Sequence, residues 1–322
     1  MSDAIKHGQV EVNGVRLHVA EQGEGPLVLL LHGFPESWYS WRHQFAPLAE
    51  AGYRVVAPDQ RGYARSSQPE SVDQYTLLHL VGDVTALIGA LGEERAVVVG
   101  HDWGAPVAWA TAALRPDLVR GVAGLSVPPL PVGGPPPLRA AREAFGDGFY
   151  QVYFQEPGRA DAELAADVKS SLRRILSGRQ PDGRPRPWIV PEGGKLLDTV
   201  PEPERLPDWL TDADLDAFAA DYAPHGERAF TGGLNWYRNL DRNAELLAAF
   251  TGVTVEVPAL YVAGEQDLVN ALVPPEILAY LLGRLPKLYG HVRLPETGHW
   301  TQQERPAEVT EALLDFLEHL DD

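Results

Sequence analysis

Short apolar runs rich in Val and Leu alternate along the chain with segments in which apolar residues return at every third or fourth position. The runs at 27–31, 54–57, 96–99, 119–125, 259–263 and 292–294 predict strands, several of them apolar on both faces, as in a parallel sheet covered from two sides. Helical spacing predicts covering helices over 77–91, from just after Gly104 to Leu114, and over 307–320. Asn13-Gly14 between two alternating segments predicts an antiparallel hairpin in front of them. The fold class is therefore α/β, a mostly parallel twisted sheet with helices on both faces.

This alternation is broken once. From Val127 to Pro137 the chain reads Val-Pro-Pro-Leu-Pro-Val-Gly-Gly-Pro-Pro-Pro, which cannot be helical and lacks the amides that a central strand donates. It predicts an exit from the sheet. The segment beyond it is mostly helical in pattern, with proline-rich interruptions over 181–207, and strand-like sequence returns over 253–263. The expected organisation is a core domain formed by 1–127 and 246–322, with a helical cap, 128–245, inserted between two of its strands.

Composition narrows the function. The 322 residues carry 27 Lys+Arg against 45 Asp+Glu, a net charge of −18, which argues against nucleic acid or an acidic membrane as partner. Cysteine is absent, so disulfides, thiolate metal sites and cysteine nucleophiles are excluded together. The opening residues lack the apolar segment of a signal peptide, and no stretch approaches a membrane span; a soluble, cytoplasmic protein is expected. No heptad or interface stripe distinguishes monomer from homodimer.

The most specific chemical signal is Ala96-Val97-Val98-Val99-Gly100-His101-Asp102-Trp103-Gly104-Ala105, a buried strand running into a glycine-flanked turn and a helix. This is the pattern of a nucleophile elbow with aspartate in the place usually held by serine. The alternative for Asp102 is an ordinary helix N-cap. His299, in Pro295-Glu296-Thr297-Gly298-His299-Trp300, is placed as a general base on a loop after the last strand, the alternative being a turn histidine satisfied by backbone. Asp267, in Gly264-Glu265-Gln266-Asp267, is the acid that would fix the histidine tautomer, with Glu265 as its rival. The order nucleophile, acid, histidine at 102, 267 and 299 matches that of the α/β-hydrolase fold. His32-Gly33-Phe34-Pro35 falls after an early strand, where the backbone N–H of Phe34, with that of Trp103, is expected to form an oxyanion hole.

Nearly the whole chain resembles the epoxide hydrolases of the α/β-hydrolase superfamily, including the soluble mammalian and mycobacterial forms. The resemblance rests on His32-Gly33-Phe34-Pro35, Asp59-Gln60-Arg61-Gly62-Tyr63, Gly100-His101-Asp102-Trp103-Gly104 and Gly298-His299-Trp300. Two segments of the expected cap are more discriminating: Tyr150-Gln151-Val152-Tyr153-Phe154-Gln155-Glu156-Pro157-Gly158 and Gly233-Leu234-Asn235-Trp236-Tyr237-Arg238-Asn239. The resemblance implies that Tyr150 and Tyr237 bind the oxygen of an epoxide; Tyr153 is the competing choice for the first. It also implies a covalent ester on Asp102, hydrolysed by water that His299 and Asp267 activate.

Trp103, Trp236, Trp300 and Tyr153 are candidates for the pocket wall, core packing being the alternative. The implied partners are a small epoxide and water, with neither metal nor organic cofactor. A haloalkane dehalogenase would use the same Asp-His-Asp set, but Phe34 offers no side-chain donor for a departing halide. A hydrolase fold that binds a small molecule without turning it over is the remaining alternative.

Overall fold

The structure is a computed structural model that describes residues 4–177 and 186–321. Part of the interruption expected over 181–207, and the first three residues, lie outside them. Eight strands form one sheet: β1 (Lys6–Val12), β2 (Val15–Gln22), β3 (Leu27–Leu31), β4 (Arg54–Pro58), β5 (Ala96–His101), β6 (Val119–Leu125), β7 (Ala259–Gly264) and β8 (Leu288–Leu294). Their order across the sheet is β1-β2-β4-β3-β5-β6-β7-β8. Only the pairings made by β2 are antiparallel.

The apolar runs are central because both of their faces are covered. Every residue of β3 and β5 is buried. Leu27, Leu29, Leu31 and Val98 pack with Leu80, Val84, Val107 and Ala108 from the helices Leu77–Ala90 and Gly104–Leu114. Val28, Leu30, Val97 and Val99 point the other way, toward Phe45, Leu48, Val309, Leu313 and Phe316 of the helices Phe45–Glu50 and Pro306–Asp321. This is the period of two that a strand imposes.

In the hairpin, Asn13 and Gly14 take φ of +45° and +77°, the pair of positive values that a type I′ turn requires. β7 begins at Ala259, as expected; the strand-like sequence that precedes it from Val253 does not join the sheet, because Pro258 has no N–H to donate to a ladder, and Val255 and Val257 are buried in irregular backbone. One strand expectation needs correction. β8 begins at Leu288, four residues before its expected start, because it is an edge strand in which only Leu294 is buried.

Between β6 and β7 the described residues contain no strand longer than the single Phe149–Ile189 bridge. Pro137 opens the helix Pro137–Phe145 at a position where a missing N–H costs nothing. The helix Leu240–Leu247 runs across the boundary expected at 245. This helical insertion is fastened to the sheet domain by polar contacts: Asp214 with Arg42 (3.1 Å), Asp221 with Arg65 (2.6 Å), and the Tyr222 hydroxyl donating to the Glu36 carbonyl (2.7 Å).

At one point the two backbones touch. A Cβ on Gly232 would lie 2.0 Å from the Gly62 carbonyl oxygen, so neither chain has room for a side chain there. Gly232→Ala is expected to lower stability by about 1–3 kcal/mol, the usual cost of overpacking, read from urea unfolding. A wild-type midpoint would show that this contact does not hold the insertion in place.

Candidate active site

β5 leads into the site and bends sharply. Asp102 has φ of +48°, a strained value for a residue with a side chain. The turn closes only because of its glycines: a Cβ on Gly100 would stand 2.0 Å from the Gly104 carbonyl oxygen, and one on Gly104 would stand 2.2 Å from that of Leu31. The N-cap alternative for Asp102 does not hold, because the helix Gly104–Leu114 is capped by Trp103 without a side-chain hydrogen bond. Asp102 turns instead toward the loop after β3, where the Phe34 amide donates to its Oδ1 at 2.7 Å. A Cβ on Gly33 would collide with that oxygen at 2.3 Å.

The other carboxylate oxygen, Oδ2, faces His299 Nε2 at 3.4 Å, and His299 Nδ1 lies 3.0 Å from Asp267 Oδ1. The chain therefore brings 102, 267 and 299 together from the ends of β5, β7 and β8. Asp267 is buried and also caps the helix Leu268–Ala271 by accepting from the Val269 amide at 2.8 Å. Its rival Glu265 is exposed and paired with Arg293.

Burial alone would push the His299 imidazole down, yet the carboxylates of Asp267 and Asp102 outweigh it and hold the ring well above its ordinary range. Burial likewise opposes ionisation of Asp102, but the hydrogen bond and charge of His299, the charge of His101 and the Phe34 amide keep its carboxyl below the usual value. Each group thus favours the charged form of the other across the 3.4 Å between them.

Several supporting residues carry no signal of their own in the sequence. Glu36, fully buried, accepts from the Gly33 amide (3.1 Å), the His101 ring (2.8 Å) and the side chains of Gln302 and Gln303 (3.0 Å each). The other nitrogen of His101 donates to the His299 carbonyl at 2.8 Å, which also accepts from the Ser126 hydroxyl at 2.8 Å. Glu304 accepts from the amides of Gly298 (2.9 Å) and Trp300 (3.1 Å), gripping the loop on both sides of the histidine. Asn270 donates to Asp267 at 3.3 Å. The only hint of Glu36 is its place beside one recognised motif and of His101 its place within another, and nothing in that pattern says that they meet.

A cavity of about 420 Å³ opens over Asp102. The sheet domain contributes Asp102, Trp103 and Pro106; the insertion contributes Tyr150, Gln151, Tyr237 and the proline-rich segment around Val132. The walls are mostly apolar, and Asp102, Tyr150 and Tyr237 are among the few polar groups. Burial, the main cause, together with the charge of Asp102, pushes both tyrosine hydroxyls up, so they are neutral donors at any ordinary pH.

Of the four aromatic residues expected in the wall, Trp103 alone lines this cavity. Trp236 is buried, with its indole donating to the Arg61 carbonyl at 3.0 Å, and Trp300 packs against His101 and His299. Tyr153 points away, its hydroxyl donating to Glu163 at 2.7 Å. No helix among the described residues is long and apolar enough to cross a membrane.

A family model described as the alpha/beta hydrolase fold matches residues 26–306. Epoxide hydrolase A of Mycobacterium tuberculosis is 47% identical over 97% of both chains. Among solved structures, an epoxide hydrolase A from Mycobacterium thermoresistibile superposes with a TM-score of 0.90 at 48% identity, covering 98% of each chain. An epoxide hydrolase from Vigna radiata does so with a TM-score of 0.90 at 41% identity and the same coverage. On this agreement of sequence, fold and length, the chain belongs to the α/β-hydrolase family and, within it, to the epoxide hydrolases.

Proposed function

We propose that this protein hydrolyses an epoxide to a vicinal diol through an ester on Asp102, with Tyr150 and Tyr237 as donors to the epoxide oxygen. The observation that carries this reading is that Asp102 and both tyrosines line one cavity. In this scheme the segment 128–245 is the lid that brings the tyrosines to a core holding the triad.

Asp102 Oδ2 attacks a ring carbon while Oδ1 stays on the Phe34 amide, and the C–O bond breaks. The leaving oxygen remains tethered to the substrate and takes hydrogen bonds, then a proton, from the phenols. Esterification removes the charge of Asp102, one of the influences that hold the tyrosines up and His299 up. Proton donation by a tyrosine thus becomes easier as the alkoxide forms, and His299, now paired only with Asp267, moves toward the range in which it can be neutral. It then takes a proton from water, whose oxygen attacks the ester carbon. Oδ1 becomes the oxyanion, facing the amides of Phe34 and Trp103; its collapse expels the diol oxygen, which takes the proton from His299, and the second water proton, left on the regenerated Asp102 carboxyl, returns to the tyrosinate so that carboxylate and phenol are both restored.

The two half-reactions should differ in their response to acid. Alkylation needs only ionised Asp102, whose pKa is lowered, and neutral phenols, so its rate is expected to be flat from neutral to mildly acidic pH. Ester hydrolysis needs neutral His299 and should slow as the pH falls through the range of the histidine in the ester state. Rapid-quench mass spectrometry should therefore find more alkylated protein at acidic pH; less alkylated protein there would contradict this division of roles.

Reaction class is tested by incubating the protein with styrene oxide in one sample and a short bromoalkane in another. Diol without bromide is expected. Bromide without diol would make the site that of a haloalkane dehalogenase and leave the tyrosines as packing. Tyr150→Phe and Tyr237→Phe should each slow alkylation by about 10²- to 10³-fold, in line with the loss of one preorganised donor. A wild-type rate in either variant would remove that tyrosine from the mechanism. The cytoplasmic setting expected of the sequence belongs to the same reading and is checked by cell fractionation.

A further inference from the structure

Gln151 follows Tyr150 in the short helix Tyr150–Tyr153 and also lines the cavity. Its Nε2 donates to the Tyr150 hydroxyl oxygen at 3.0 Å. Among the described residues, no other hydrogen bond of that hydroxyl is seen, so its own hydrogen has no protein acceptor. A phenol whose oxygen is already accepting has its O–H turned away from that donor, and polarisation along the chain of hydrogen bonds makes it a stronger donor.

The second tyrosine has Trp103 beside it, whose indole N–H can only donate and slightly offsets the burial that pushes the Tyr237 hydroxyl up. The two rings cross nearly at right angles, 89°, with centroids 5.1 Å apart.

We propose that Gln151 is a positioning residue that occupies the acceptor side of the Tyr150 hydroxyl and so commits its hydrogen to the substrate oxygen. Were this amide absent, the phenolic O–H would be free to rotate, and the apolar wall would offer no group to restore its aim. The surroundings are otherwise unhelpful to a donor. Nearby carboxylates of Asp102 and Asp267 act on Tyr150, and Tyr237 and Trp188 pack on its ring. Gln155, one turn further along, is engaged with the carbonyls of Gln151 and Tyr237 and cannot replace the amide. This proposal rests on the reading of Tyr150 as a donor to the epoxide.

Gln151→Glu tests it, because shape is kept while a donor becomes an acceptor at neutral pH. The introduced carboxylate would take the Tyr150 hydrogen for itself. Alkylation of Asp102 by styrene oxide, followed in single turnovers, is expected to fall about as far as in Tyr150→Phe, roughly 10²- to 10³-fold. It should recover as the pH is lowered and the new carboxyl gains a proton to donate, a profile that a packing defect would not produce. In a Tyr150→Phe background, Gln151→Glu should cause no further loss, since both changes remove the same hydrogen bond to substrate. Gln151→Leu, which leaves the hydroxyl unaimed, should fall between wild type and Tyr150→Phe.

A wild-type rate for Gln151→Glu at neutral pH, or a loss that multiplies with that of Tyr150→Phe, would overturn the positioning role. A wild-type rate for Tyr150→Phe alone would instead overturn the reading of Tyr150, and the two failures are therefore separable.

Discussion

Asp102→Asn is expected to lower turnover of the epoxide by at least about 10⁴-fold, the scale on which removal of a catalytic nucleophile acts. The amide is nearly isosteric, and the elbow that presents it is set by Gly100 and Gly104 rather than by the side chain, so the fold should survive. What disappears is the charge. A neutral amide oxygen does not open an epoxide, and the Phe34 amide, which donates to Oδ1 at 2.7 Å, no longer faces an anion. The decisive measurement is intact mass after incubation with styrene oxide. Wild-type protein should carry a transient adduct of one epoxide, and Asp102→Asn none. An adduct on the variant, or turnover within tenfold of wild type, would place the nucleophile elsewhere. Ligand binding and biological effect that both persist unchanged would favour a protein that binds without catalysis.

His299→Gln should have the next largest effect, and only on the second half of the cycle. Loss of a general base costs about 10²- to 10⁴-fold, and here it should fall on ester hydrolysis. The first turnover should still proceed within about tenfold of the wild-type rate, because Asp102 keeps its Phe34 contact and ionises readily without a base. The expected result is a burst of one equivalent, after which the protein stays alkylated. Sustained turnover without a trapped adduct would refute the role of His299 as base.

Much of this site is legible from the sequence because its geometry is local. Gly100 and Gly104 stand on either side of Asp102, and a strand, a tight turn and a helix succeed one another within ten residues. The choice between Asp267 and Glu265 is not legible. Both carboxylates come after the same strand, and only the depth at which Asp267 is buried against His299 separates them. Tyr150 and Tyr153 pose the same problem within one helical turn. Their difference is made by Glu163, ten residues on, which accepts from the Tyr153 hydroxyl and holds it away from the cavity; burial first, and then this hydrogen bond, push that hydroxyl up to about 12.

Residues whose partners come from distant segments leave the least trace. Glu36 reaches His101, Gln302 and Gln303, and the spacing of these positions obeys no period. Gln151 is hidden for a different reason: its significance lies in a single donated hydrogen, which no pattern of apolar and polar positions encodes. The start of β8 is illegible because an exposed edge strand has no need of the apolar alternation that marks a buried one.

β6 and β7, between which the insertion leaves and returns, are adjacent in the sheet, with Val122 paired to Ala259 and Leu125 to Val262. Seen from the sheet, all that lies between them is one long loop whose ends stand a single strand spacing apart, and the entropy of closing a loop rises only slowly with its length. Under the proposed mechanism the sheet half would hold the residues that cleave the ester, Asp102, Asp267 and His299, and the insertion would hold Tyr150 and Tyr237, the donors that act as it forms. Exchanging or reshaping the insertion would redirect the choice of substrate while leaving the water-activating apparatus where it is.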